Sequence, residues 1–145
     1  MSYFVVSSLF LVAFTVLIHV VCLVFLAKWT RYARWDEAGM GAFGKIVWLF
    51  VRVVWVILLS HIVQICIWAL FYYVQGSFST VEASLYFSGV TYTTIGYGDV
   101  LISSPWRLLA TTQGLVGILM CSLSAAFFFS LMTRLLFERY RFSGG

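Results

Sequence analysis

Three stretches of this chain, roughly residues 3–27, 46–74 and 106–137, are almost wholly apolar. A bilayer core is about 30 Å thick and takes about 20 apolar residues of helix to cross, so each stretch reads as a transmembrane span. The composition agrees: 63% of the 145 residues are hydrophobic and 10% are charged, against about 45–50% and about 25% in soluble domains. A chain of this size leaves much of its surface exposed, so lipid has to be the solvent for most of it. The length suits one domain, with no room for a soluble regulatory domain beside the spans. The first run lacks a basic flank, is too long for a leader and has no small-residue cleavage site after it, so it reads as a true span.

Charge placement sets the expected topology. Lys28, Arg31, Arg34 and Lys45 fall in the loop between the first two runs, Arg52 lies one or two turns inside the second, and Arg134, Arg139 and Arg141 follow the third. Only Arg107 falls on the other side. Three spans put that loop and the C-terminus on one face, which the excess of Lys and Arg marks as cytoplasmic. The N-terminus and residues 75–104 then face outward. Trp29, Tyr32, Trp35 and Tyr140 on the inside, and Tyr72, Tyr73 and Trp106 on the outside, stand where interfacial aromatic anchors belong.

The net charge of +4 is spread over helix ends and forms no nucleic-acid patch. Cys22, Cys66 and Cys121 lie inside apolar runs, odd in number and at no zinc-binding spacing; they read as small buried hydrophobes. No Cys/His or Ser/His/Asp arrangement is present, so an enzyme is the least favoured class. No cofactor is expected.

Between the second and third runs lies a stretch too short to cross, with both ends on the outer side. Ser79 and Glu82 have capping-box spacing, which predicts a helix over residues 80–94. Gly96 and Gly98 then flank Tyr97. The segment has to dip into the membrane and return, and non-helical backbone at that depth is tolerated only where protein buries it or water lines it. Glycine takes positive φ without steric cost, so alternating glycines let successive carbonyls turn to one side. Four such strands around an axis would make oxygen rings able to replace the water shell of a cation. A helix ending near Thr93 would aim its negative dipole end there.

Thr94-Ile95-Gly96-Tyr97-Gly98-Asp99 resembles the selectivity-filter signature of potassium channels, with Ile95 where valine is usual. The resemblance covers about residues 46–137. It implies a division into an extra helix and loop over 1–45 and a pore domain over 46–145, with outer helix 46–74, pore helix 80–94, filter 94–98 and inner helix 106–137. The fold class is then an all-α membrane protein with three transmembrane helices, a re-entrant pore helix and a filter. The resemblance further implies a homotetramer, since four filter strands are needed. K⁺ would be held by Thr94, Ile95, Gly96 and Tyr97; carbonyl selectivity for potassium is a property of that family and not a consequence of spacing. Asp99, Tyr86, Phe87 and Thr93 would support the filter, with Tyr86 donating to Asp99. Val90 stands where some simple bacterial relatives carry a glutamate. The implied setting is a bacterial inner or plasma membrane.

Other positions stay open. Gly117 stands at the family's hinge position, but it and Gly114 equally suit close helix packing. Ile118, Cys121, Ser122, Ala125 and Phe129 form a helical stripe that would line a cavity. Phe129 is a candidate hydrophobic gate, while Phe127 and Phe128 would face lipid. Glu82 serves either as a cap or to attract ions. His19, His61 and Gln64 sit inside membrane runs as a pH sensor or as interhelical hydrogen-bonding groups. The first span has no arginine series, which argues against voltage sensing. The loop between the first two spans, with Asp36 and Glu37, would meet anionic lipid or simply set topology. A transporter subunit or a non-conducting membrane subunit would not need one intact filter.

Overall fold

The computed structural model describes residues 2–32 and 40–143, with side chains described over 6–31, 44–104 and 106–135. Four α-helices account for almost all of them: α1 (Ser2–Tyr32), α2 (Met40–Val74), α3 (Val81–Tyr92) and α4 (Arg107–Ser143), with a 3₁₀ turn at Ser104–Trp106 before α4. No strand occurs among the described residues. Three segments are long and apolar enough to cross a membrane: Val6–Arg31, Gly44–Val74 and Arg107–Leu135. At about 1.5 Å per residue each exceeds the roughly 30 Å hydrocarbon core. The short α3 does not.

The long helices overrun the boundaries expected from hydropathy. Lys28 and Arg31 belong to the end of α1 and Lys45 to the start of α2, not to a loop. Lys and Arg are good helix formers, and Arg31 in the last turn complements the negative helix end. Arg34, Trp35, Asp36 and Glu37 lie outside the described residues. Arg52 places its guanidinium 5.0 Å from the centre of the Trp48 ring one turn earlier, a cation–π contact that helps hold the charge in an apolar helix. The chain's one proline, Pro105, sits at the start of the 3₁₀ turn, where its missing N–H costs no helical hydrogen bond.

α3 lies between α2 and α4, and α1 packs on α2 and α4. Three apolar clusters hold them. Leu11, Trp68, Tyr72, Phe87, Ile102 and Leu109 form one at the end near α3's start. Tyr92, Val116 and Met120, with Val12 and Val16 of α1, form one at α3's far end. Leu26, Leu49, Val53, Leu131 and Leu135 form the third at the opposite end of the bundle.

Two expectations need correction. Tyr72 is not an interfacial anchor; it is fully buried, with ring contacts to Trp68, Phe71, Phe78 and Phe87. The cysteines are free, but Cys66 and Cys121 are exposed on the single chain rather than buried in it. A membrane helix needs no intrachain cover for its apolar residues, so an apolar run does not say which of them face inward.

Candidate functional site

α3 starts one residue later than the capping-box spacing suggests. Thr80, not Ser79, is the N-cap: it has extended φ/ψ of −131° and 150°, and its hydroxyl accepts from the Ala83 N–H. That places Glu82 in the first turn, one position short of the place from which a capping box reaches back. The helix also stops earlier than expected, at Tyr92.

Polar side chains and small residues fix α3 against its neighbours. Ser88 donates to the Ile65 carbonyl of α2 at 2.8 Å. Gln113 of α4 donates to the Ser88 hydroxyl at 2.8 Å and accepts from the Tyr72 hydroxyl at 2.9 Å. Ser88 and Gln113 are completely buried, so these bonds satisfy groups that would otherwise be costly in an apolar interior. Gly117 meets the backbone of Tyr92 directly: a Cβ added there would lie 2.9 Å from the Tyr92 carbonyl carbon and nearer still to its oxygen. At Gly114 it would lie 3.5 Å from the Thr91 oxygen, an ordinary contact. Close packing therefore accounts for Gly117, and α4 runs unbroken through it.

Beyond Tyr92 the chain alternates in hand. The Thr93 N–H still reaches the Gly89 carbonyl, and the Thr94 N–H reaches that of Thr91. Thr94, Gly96 and Gly98 then take φ of 61°, 57° and 78°, and Ile95 and Tyr97 between them do not have positive φ. For Thr94, with a branched side chain, this conformation is strained. The Gly96 N–H folds back onto the Val90 carbonyl at 3.3 Å. The Thr93 hydroxyl donates to the Gly89 carbonyl at 2.7 Å, so it caps its own helix. All five residues from 94 to 98 are exposed, Tyr97 by 71% and Ile95 by 55%.

Asp99 closes this segment. The Tyr86 hydroxyl donates to its Oδ2 at 2.6 Å, the bond that the resemblance implies. That bond holds the Asp99 carboxyl below its usual range, helped by the backbone N–H groups of Asp99 and Val100 and opposed by partial desolvation. It raises the Tyr86 phenol correspondingly. Phe87 turns the other way, into the core, with ring centres 5.3 Å from Tyr72 and 5.0 Å from Phe78. Its edge also reaches a small cleft behind residues 96–101 that Tyr86, Val90 and Thr91 line.

On α4, Ile118, Cys121, Ser122, Ala125 and Phe129 share one uncovered face, Phe129 being 71% exposed. Gln113, Val116, Met120 and Ser124 are on the face buried against the other helices. Phe127 and Phe128 are half-buried against the cluster of Leu26, Leu49 and Val53, so part of each ring packs within the chain rather than pointing wholly away from it. His19, His61 and Gln64 come together from α1 and α2, and Tyr92 of α3 and Ser124 of α4 join them. Sequence reasoning missed Ser124, Ser88 and Gln113. The i, i+3 spacing of His61 and Gln64 marks one polar face of α2, but no spacing points to the serines that complete it.

A family model described as an ion channel matches residues 59–134, just over half of the chain. The match runs from the second half of α2 through α3 and the 94–98 segment into α4; α1 lies outside it. No curated protein and no solved structure matches the chain.

Proposed function

The chain belongs to the ion channel family whose model it matches, and from that membership we propose that four copies form a potassium-selective pore with residues 94–98 as its filter. The observation that carries this reading is the alternation of backbone hand at Thr94, Gly96 and Gly98 in a segment left exposed on the single chain. Alternating hand turns successive carbonyls toward one side. Four copies around an axis would stack those of Thr94, Ile95, Gly96 and Tyr97 into rings that replace the water shell of K⁺. Conduction is then passive, with no bond made or broken.

Exposure supports the oligomer. Large apolar patches on a membrane protein face lipid, but a tyrosine and strained backbone beyond a re-entrant helix gain nothing from lipid. Neighbouring copies would cover Tyr97 and Ile95 and give the segment its structural support. The same assembly would turn the Ile118, Cys121, Ser122, Ala125 and Phe129 face toward the axis, with Phe129 as a hydrophobic constriction. Asp99, tied to Tyr86, would place a carboxylate at the outer mouth. The C-terminus would be cytoplasmic and the N-terminus outside, as the Lys and Arg placement favours. Membrane lipid covers the remaining outer faces.

The test is the reversal potential of the reconstituted protein in liposomes under opposed potassium and sodium gradients. A potential near the potassium value, removed by barium and absent in Gly96→Ala, is the expected result. A current reversing near zero would establish a non-selective cation pore instead. Normal selective current in Gly96→Ala would overturn the filter assignment.

A further inference from the structure

The buried polar side chains at the middle of the bundle form one closed ring. Gln64 of α2 fixes its direction. Its Nε2 lies 3.2 Å from the Ser60 carbonyl, which only accepts, so the amide nitrogen faces that carbonyl. The same nitrogen lies 3.0 Å from His19 Nδ1, which must therefore accept. His19 then carries its hydrogen on Nε2, 3.1 Å from the Ser124 hydroxyl. Ser124 accepts there and passes its own hydrogen to His61 Nε2 at 3.1 Å. His61 in turn carries its hydrogen on Nδ1, 2.9 Å from the Tyr92 hydroxyl. The Tyr92 hydroxyl closes the circuit by donating to Gln64 Oε1 at 3.1 Å.

Each of the five members donates once and accepts once around this ring, and each comes from a position that matters. His19 is on α1, His61 and Gln64 on α2, Ser124 on α4, and Tyr92 is the last residue of α3, two before Thr94. His19, Gln64 and Tyr92 are essentially free of solvent contact. The Tyr92 ring is held by this circuit while its backbone rests on Gly117.

We propose that His19 and Gln64 are positioning residues for the ion filter, acting through the Tyr92 hydroxyl, and that the ring closes only while both histidines are neutral. This rests on the filter reading above. It gives the first helix, which the family match does not include, a hold on the end of the pore helix through Gln64. A second proton on His19 Nδ1 would face the Gln64 amide hydrogen, whose direction the Ser60 carbonyl fixes. A second proton on His61 Nε2 would displace the Ser124 hydrogen from that position, leaving the hydroxyl to accept from both histidines and to donate outside the ring. Either opens the circuit. The titratable groups facing the two rings are each other, at 5.0 Å between centres, Tyr92 from α3, and Cys121 of α4 beside Tyr92. The Met120 backbone of α4 and the Ser60 hydroxyl of α2 also face His19.

The chain has 2 histidines, so ¹⁵N spectra of histidine-labelled protein in liposomes resolve the ring directly. At pH 7.5 His19 should be the Nε2–H tautomer and His61 the Nδ1–H tautomer; Tyr92→Phe should release His61 from that form. The same tautomer at both sites, or a charged histidine at pH 7.5, would overturn the ring. Potassium and sodium binding by calorimetry then tests the positioning role without requiring an open gate. His19→Leu should lower the potassium preference about tenfold, the effect of one unmade buried hydrogen bond. His19→Gln keeps one donor and one acceptor but cannot take up a proton. Together with His61→Gln it should keep the preference at pH 7.5 and retain it at the acid pH where the ¹⁵N spectra of the parent show a charged histidine and the parent loses its preference. An unchanged preference in His19→Leu, or the same acid loss in the double variant, would overturn the positioning role. A parent protein that binds no potassium at pH 7.5 would overturn the filter reading, and the tautomers would still decide the ring.

Discussion

Tyr86 and Asp99 are joined by a 2.6 Å hydrogen bond that spans the whole return segment, from the middle of α3 to the residue after Gly98. Thirteen positions apart in sequence, they close the loop that carries the three positive-φ residues 94, 96 and 98. Removing the phenol should free the far end of that loop. In Tyr86→Phe the Asp99 carboxyl loses the largest cause of its lowered pKa and should titrate nearer its usual value of 3.8. Because the folded pKa is depressed, this bond's contribution is present above the usual value and fades as pH falls through the lower, folded one. The variant should therefore show no such acid-dependent step. Carboxyl ¹³C shifts of labelled Asp99 against pH measure this, and a titration unchanged from the parent would count against the anchor.

Gly117 and Gly114 should respond differently to the same added methyl. Gly117→Ala drives a Cβ into the Tyr92 backbone, which has no flexible end to yield, and overpacking of that kind costs about 1–3 kcal/mol or more. Gly114→Ala meets only an ordinary contact. Thermal unfolding in detergent should show a clear loss for the first and little change for the second. Equal effects would mean that α4 shifts readily at this crossing.

Gln113 links Tyr72 of α2 to Ser88 of α3 while wholly buried. Gln113→Leu keeps much of the volume but leaves the Tyr72 hydroxyl without its acceptor, at about 1–3 kcal/mol. The double variant with Tyr72→Phe should recover part of that loss, because the stranded hydroxyl is then gone. Chemical or thermal denaturation of the two variants provides the comparison; no recovery would show that Gln113 matters mainly to Ser88.

Phe129 is the one phenylalanine of the 127–129 run that its own chain leaves uncovered. If it is the constriction, Phe129→Ala should raise the open fraction in liposome recordings without altering the reversal potential. Phe128→Ala should instead cost stability, since its ring lies 5.1 Å from that of Phe50; because Phe128 is half-buried, the loss should fall below the roughly 3–5 kcal/mol of a fully buried phenylalanine. A changed reversal potential in Phe129→Ala would tie that residue to selectivity rather than gating.

The spans were readable because lipid imposes length and apolarity on every helix that crosses it, and the 94–99 signature was readable because positive φ admits so few residue types. What the sequence hides is orientation about each helix axis. In a soluble helix the polar face marks the outside. In α2 and α4 both faces are apolar, so Tyr72 could not be told from an interfacial tyrosine, nor Phe127 and Phe128 from lipid-facing residues. His61 and Gln64 were visible as anomalies, but Ser124 and Ser88 were not, since a serine in a membrane helix bonds readily to its own backbone and needs no partner. The exact cap of α3 was also ambiguous: Ser79 and Thr80 are both good N-caps, and the extended backbone of Thr80 with its bond from the Ala83 N–H identifies the one used.

The seating of Tyr92 on Gly117 has a mechanical consequence. The α3 backbone approaches Gly117 more closely than it does Gly114, so a tilt of α4 against α3 would pivot at this crossing. Phe129 lies twelve residues further along, a lever arm of about 18 Å at about 1.5 Å per residue. A tilt of about 10° at that crossing would sweep the Phe129 ring through about 3 Å, given that arm, and would move the helix much less beside residues 94–98. The far end of this helix carries Leu131 and Leu135, packed on Leu26, Leu49 and Val53, so a swing about the glycine has to slide or carry the ends of α1 and α2 with it.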